Sequence, residues 1–272
     1  MIKKCLALAL VLAAGRLCAQ QFPIKLELAY NAFVVGEPVL VQITLENDDR
    51  QDIVIDEKSR DRIFFELTTE DRYNYIKQYR EGLVAGAFTV SPRQNAQRRL
   101  ELDKWHSLMS EGKYFVQAVF LHNGQRYVSQ LKTFDIVPGL KLKEGIQMFV
   151  KPANLKRTFT LSYWHRNEVD RLFLRAVDEP SGLMWDTVDL GTFSRAYPAK
   201  LDIAPDGVVS VVHKSNQDVF FRTVLWSLPE SLEVVERNKL LDPEVAASQN
   251  AKSLYNESGD KKSAKKPWWK LW

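Results

Sequence analysis

The stretch Val39-Leu40-Val41-Gln42-Ile43-Thr44-Leu45-Glu46 decides how the first half of the chain is read. Val39, Val41, Ile43 and Leu45 alternate with partly polar neighbours, the period of two that a half-buried strand requires. Gly36-Glu37-Pro38 supplies a turn before the stretch, and Glu46-Asn47-Asp48-Asp49 supplies one after it. The same period extends outward. Ile24, Leu26 and Leu28 precede it; Ile53 and Ile55, then Ile63, Phe65 and Leu67, follow it. Leu100 and Leu102, Tyr114 to Leu121, an Asn123-Gly124 hairpin signal and Tyr127 to Val137 complete the set. About seven short strands punctuated by turns predict an antiparallel β-sandwich over 21–138.

Leu108-Met109-Ser110-Glu111-Gly112-Lys113-Tyr114 puts a glycine turn and a tyrosine directly before a strongly apolar strand. Tyr114 is either an ordinary core aromatic or a tyrosine corner, its hydroxyl returned to the upstream backbone. With Gly36-Glu37-Pro38-Val39 leading a long strand and Gly112-Lys113-Tyr114 leading the penultimate one, the segment resembles bacterial Ig-like domains. The same two motifs are similar to those of the BsuPI-type proteinase-inhibitor and macroglobulin-type sandwiches. The resemblance implies a fold, and a fold does not carry function. Within this region Thr68–Arg99 lacks a clear period and holds Tyr73, Tyr75, Tyr79 and Phe88 among charges. It reads either as a contact surface, since tyrosine and arginine dominate binding hot spots, or as a long loop folded back as an extra hairpin.

Beyond a connector at Gly139–Glu144, alternation resumes over 140–241. It runs through Phe159, Leu161 and Tyr163, then Leu172 and Leu174, then Trp185, Val188 and Leu190, then Leu201 and Ile203. Ala204-Pro205-Asp206-Gly207 is a strong turn, followed by Val209, Val211 and His213, the apolar run Asp218 to Leu228, and Leu232 and Val234. Again about seven strands are implied. Pro205 to Leu225 resembles a hairpin from a blade of the sialidase-like β-propellers. The region has length for about two blades against at least about four in a closed propeller, and no period recurs to supply the rest. A compact second sandwich, or an open sheet completed by a partner, fits the length. The fold class is therefore all-β, with an Ig-like antiparallel sandwich, a second antiparallel β domain and a flexible C-terminal tail.

The ends differ from this body. Lys3 and Lys4 precede an apolar run from Cys5 to Ala14, and small residues lead to Ala19, the layout of a secretory signal over 1–19. The run is shorter than the roughly 20 residues of a membrane-spanning helix. Acylation of Cys18 is a lesser alternative, because Arg16 and Leu17 depart from the lipoprotein pattern. Both cysteines, Cys5 and Cys18, lie in this segment. Its removal leaves no thiol for catalysis, metal binding or disulfides, and a chain of about 250 residues buries enough surface to do without them. The formal charge of +4 is carried by the ends, and Gln20–Asp242 is slightly acidic at −2. A body with no basic excess is a poor partner for nucleic acid.

Catalytic signatures are missing from the sequence. His106, His122, His165 and His213 are far apart, with no close metal-ligand spacing. There is no Gly-x-Ser-x-Gly elbow, phosphate-cradling glycine loop or zincin motif, and 12 glycines leave few places for close backbone approach to a nucleotide. Asp178, Glu179, Asp186 and Asp189 read as solvated faces of antiparallel strands. No catalytic residue, metal site or cofactor is expected.

The tail, 242–272, starts with Asp242-Pro243-Glu244, a good helix start for a short helix to about Leu254. Asn256–Asp260 breaks it, Lys261–Pro267 reads as a solvated tether, and Trp268-Trp269-Lys270-Leu271-Trp272 closes the chain. These five residues are the candidate partner-binding site, inserted in an envelope protein. Contact with a membrane interface and docking back onto the body are the competitors. The sequence thus points to an exported, non-enzymatic binding or scaffolding protein of the bacterial cell envelope, periplasmic or envelope-associated. A proteinase-inhibitor-like module with its loop in Thr68–Arg99, or a carbohydrate-binding or glycoside-acting protein using Trp164, Trp185 and nearby acids, are the alternatives.

Overall fold

The computed structural model describes residues 23–70, 75–152, 154–215 and 219–240. The expected signal over 1–19 and the tail over 242–272, with Trp268 to Trp272, lie outside the described residues. Apart from one 3-10 turn at Leu102–Lys104, every named element is a strand. No helix among the described residues is long and apolar enough to cross a membrane. The chain divides into two compact units at Val137/Pro138.

The first unit holds β1 (Ile24–Leu28), β2 (Ala32–Val34), β3 (Leu40–Glu46), β4 (Ile53–Ile55), β5 (Arg62–Thr69), β6 (Phe88–Val90), β7 (Asn95–Glu101), β8 (Gly112–His122), β9 (Gln125–Val128) and β10 (Lys132–Val137). One sheet has the order β1-β3-β7; the other runs β2-β10-β8-β5, with β9 also on β8 and β4 paired with β6 apart. The pairings are antiparallel except β2 on β10, which is parallel. Alternation builds the core directly. Ile24, Leu26, Val41, Ile43 and Leu45 from one sheet are buried, as are Phe65, Leu67, Val116 and Phe134 from the other. The Gly36-Glu37-Pro38 motif has a specific job. Gly36 takes φ of 79°, Glu37 N–H donates to the Val34 carbonyl at 2.8 Å, and its buried carboxylate accepts from Val34 N–H at 2.9 Å. Tyr114 forms the corner: its hydroxyl donates to the Ser110 carbonyl at 2.6 Å, and its ring stacks on Phe134 with centroids 5.4 Å apart. Asn123 and Gly124 both take positive φ in the β8–β9 hairpin, the mirror-image turn that suits twisted strands.

The second unit holds β11 (Leu140–Met148), β12 (Lys156–Arg166), β13 (Val169–Glu179), β14 (Val188–Thr192), β15 (Lys200–Ile203), β16 (Val208–Lys214), β17 (Phe220–Leu228) and β18 (Ser231–Leu240). They form two antiparallel meanders, β11-β12-β13-β14 and β15-β16-β17-β18. One core joins them: Phe159, Leu161, Leu172, Leu174 and Leu190 of the first meander pack with Leu201, Val209, Val211 and Leu225 of the second. Gly207 sits where only glycine serves. It has φ of 92°, and a Cβ there would lie 2.6 Å from the Ser227 carbonyl oxygen.

Gly139–Glu144 is not a connector. From Leu140 it is the start of β11, paired with β12 from Leu140↔Tyr163 onward. Its residues are exposed nearly throughout, so a signal based on burial had nothing to register. Ladder hydrogen bonds at a sheet edge hold a strand without alternate burial.

Candidate functional site

Each of the four histidines has a structural setting. His106 is buried, its Nδ1 3.0 Å from the Ile76 carbonyl, and burial lowers its pKa. The His122 ring stacks on Phe120, with Nδ1 2.7 Å from Asp61 and Nε2 3.3 Å from Asp49. His165 stands on an exposed hairpin 2.9 Å from Asp170. Arg195 bonds that same carboxylate at 2.5 and 2.8 Å and, with His165, holds it below the ordinary carboxylate range. His213 is buried against Phe221. Among the described residues no group of three or more His, Cys, Asp or Glu could hold a metal ion.

The acids expected on solvated faces do not all stay there. Asp178 is 2% exposed and faces Arg157, which is 0% exposed. Arg157 Nε and Nη2 donate to the two carboxylate oxygens at 2.6 and 2.9 Å. Nη1 donates to Ser227 Oγ and the Leu228 carbonyl, both at 2.9 Å, and to Ser231 at 3.2 Å. Nη2 also reaches the Pro229 carbonyl at 3.3 Å. The pair therefore pins the first meander to the β17–β18 turn of the second. Burying two charges costs several kcal/mol each unless the remaining donors and acceptors are satisfied; here every guanidinium nitrogen has an acceptor. The burial of Asp178 has a readable physical cause. Arg157 has the same strand parity as Phe159, Leu161 and Tyr163, so the apolar face of β12 ends in a cation that needs a counter-ion. Glu179 and Asp189 do lie at the surface, bonded to Lys156 and Arg171.

The same network occupies Trp185. Its Nε1–H donates to Asp178 at 3.0 Å, and the Arg157 guanidinium covers the ring at 4.5 Å. One face and the only polar atom of this indole are committed inside the unit. Trp164 is half-buried on β12 opposite Arg171.

Surfaces without an internal role among the described residues include a cleft of the first unit and a strand of the second. In the first unit an open cleft of about 770 Å³ lies between the 56–61 loop, β5 and the 78–84 segment. Asp56, Glu57, Asp61 and Glu81 contribute acid, Phe64, Leu83 and Leu121 contribute apolar surface, and Arg62 is the basic lining residue among those described. Local bonds shape both walls. Asp56 accepts from Lys58 and Ser59 N–H. Opposite, Tyr79 N–H donates to the Trp105 carbonyl at 3.0 Å and its hydroxyl to the Asp103 carbonyl at 2.7 Å. Gly82, at φ of 120°, passes over the Trp105 ring. Part of the irregular Thr68–Arg99 stretch is thus a pinned cleft wall, and another part, β6, pairs with β4.

The second surface is β11. Leu140, Leu142, Ile146, Met148 and Val150 are exposed, Val150 by 89%. The opposite parity faces inward: Lys143 donates to the Leu201 carbonyl, Gly145 leaves room for Ile203, and Gln147 donates to Ser227. Inward packing therefore fixes which side chains β11 presents to solvent from Glu144 onward. Among the described residues the strand pairs only with β12 and stands at the edge of its sheet.

Compared with known proteins, the chain matches no protein-family model and no curated protein sequence.

Proposed function

We propose that the protein is a non-enzymatic binding or scaffolding component of a bacterial cell envelope. In this reading it is exported, periplasmic or envelope-associated, and holds a protein partner through its sandwich surfaces, the Trp268–Trp272 terminus adding aromatic contact. The observation that carries the reading is the apolar row on β11. Edge strands are normally blunted, because their free N–H and C=O groups recruit other strands. The start of β11 carries such protection in Lys141, Lys143, Glu144 and a register shift between Lys141 and Lys143, but Ile146, Met148 and the following Val150 are apolar and 50%, 66% and 89% exposed. Contiguous exposed apolar surface marks a contact site, and strand addition supplies backbone hydrogen bonds while alternate side chains supply selectivity. The basic, apolar leader at 1–19 supports export. β1 and β2 divided between two sheets, β2 parallel to β10, and the Tyr114 corner support the Ig-like resemblance of the first unit.

The test is affinity capture from envelope extract with the full-length chain, an Ile146→Lys/Met148→Lys variant and a deletion of Lys265–Trp272. A partner retained by the wild type and lost by the β11 variant is the expected result. Undiminished capture by that variant removes β11 from the function.

A further inference from the structure

We propose that the occupant of the β11 edge is a second copy of this chain, its own β11 laid antiparallel about a two-fold axis at Gln147. The inference rests on the reading above for β11 being a contact surface, and it names the partner. Backbone direction carries it first. Phe149 N–H donates to the Leu155 carbonyl at 3.0 Å, on the side of β12. Alternate residues of an antiparallel strand direct their N–H and C=O the same way. Gly145 and Gln147 therefore bond across to Phe159 and Arg157, their partners in β12. Glu144, Ile146 and Met148 direct theirs outward, where no described strand takes them up. Face and edge are in phase: Ile146 and Met148 present exposed apolar side chains at the same positions.

The distribution of charge selects the partner. Lys141, Lys143 and Glu144, with the register shift between Lys141 and Lys143, guard the first half of the strand and leave Ile146 to Met148 unguarded. With Gln147 facing Gln147, Ile146 of each copy stands opposite Met148 of the other. Each of those pairs can exchange two backbone hydrogen bonds, about four in all. Glu144 of each copy then falls at an outer end of the ladder, about 20 Å from its counterpart. Moving the axis to Ile146 or to Gly145 would set Glu144 against Met148 or Ile146, a carboxylate on an apolar side chain. A two-fold contact also uses one patch on both partners, so two apolar residues become a cluster of four. Val150, exposed beside the row, extends it at either end.

The test is sedimentation equilibrium of the full-length chain from about 1 to 300 μM. A monomer–dimer equilibrium with Kd of about 1–100 μM is expected, as suits a short pairing. Ile146→Lys/Met148→Lys sets like charges directly opposite and should weaken it by about a hundredfold or more. Leu142→Lys lies beyond the overlap and should leave the dimer unchanged, as should deletion of Lys265–Trp272. Amide exchange reads the contact without any substitution. Ile146 and Met148 N–H should exchange slowly in the concentrated sample and fast on dilution, while Gly145 and Gln147 stay protected in both. A constant monomer mass, a dimer indifferent to the double variant, one lost with Leu142→Lys or the deletion, or unprotected Ile146 and Met148 amides in the dimer would each overturn the proposal. The reading beneath it fails separately. A chain that stays monomeric yet captures an envelope protein through β11 sinks only the second copy. A dimer broken by the double variant, with capture from extract undiminished, sustains the second copy and removes the envelope partner from β11.

Discussion

Acidification should destabilise the second unit through one side chain, His213. The imidazole is buried on the inner side of β16 and stacked on Phe221. Arg237 from β18 adds positive charge beside it, while Asp189 and the backbone of Leu190 and Thr192 from β14 offset the penalty in part. Burial foremost, with Arg237 second, lowers the His213 pKa from 6.5 to about 4. The sign follows from counting protons. Between those values the unfolded chain's histidine is protonated and the native one is not, so unfolding takes up a proton and stability falls as pH falls. Above about pH 7 both states are neutral and the effect vanishes; below about pH 4 both are protonated and it levels off. Each pH unit inside the window costs about 1.4 kcal/mol, so the whole window removes about 3 kcal/mol, a large share of a domain's usual margin.

The assay is urea unfolding of the wild type and of His213→Leu at pH 7.5, 6.5, 5.5 and 4.5, with the histidine ring protons followed by NMR. Leucine is close in volume and carries no proton, so at pH 7.5 the variant should lie within about 1.5 kcal/mol of the wild type. Carboxylates and the other histidines titrate alike in both proteins. The difference between the two pH profiles therefore isolates His213. Wild-type stability should fall more steeply below pH 6.5, and the His213 ring signals should stay unprotonated down to about pH 5. Parallel profiles, or a His213 midpoint near 6.5, would refute the reasoning.

Three further outcomes follow from particular contacts. Arg157→Met strands the Asp178 carboxylate in the core and should cost about 3–5 kcal/mol in urea unfolding, while Arg157→Met/Asp178→Leu should recover only part of it, because the apolar pair removes the stranded charge but leaves Trp185 Nε1–H without its acceptor. Tyr114→Phe removes the hydroxyl bond to Ser110 and should cost about 1 kcal/mol, with the rest of the unit's amide spectrum unchanged. Glu168 holds φ of 66° in the β12–β13 turn beside Asn167 at 49°; Glu168→Gly should raise stability by about 0.5–1 kcal/mol, since an L-residue pays a Cβ clash there that glycine avoids. A loss of stability on that substitution would mean the Glu168 side chain makes a compensating contact.

The alternation around Val39–Glu46 was legible because one face of each strand is dry and the other wet, and period two records that contrast. Tyr114 was legible because a corner needs a glycine turn, an aromatic and an apolar strand in fixed order. Where the contrast fails, the sequence goes quiet. β11 pairs through its backbone while nearly all its side chains stay in water, so Leu140–Glu144 reads as a connector. Asp178 sits among acids that look alike in one dimension, and only the parity of Arg157 with Phe159 and Leu161 distinguishes it. The cleft is harder still, because its walls come from the 56–61 loop, β5 and the 78–84 segment, and their approach depends on bonds from Tyr79 to the turn at Asp103 and Trp105. That difference bears on function. A reaction needs particular groups at particular spacings and leaves a motif. A surface that holds a partner would need only exposed apolar and charged residues of ordinary kinds, and Ile146 and Met148, exposed on β11, are the residues through which the proposed contact would show itself.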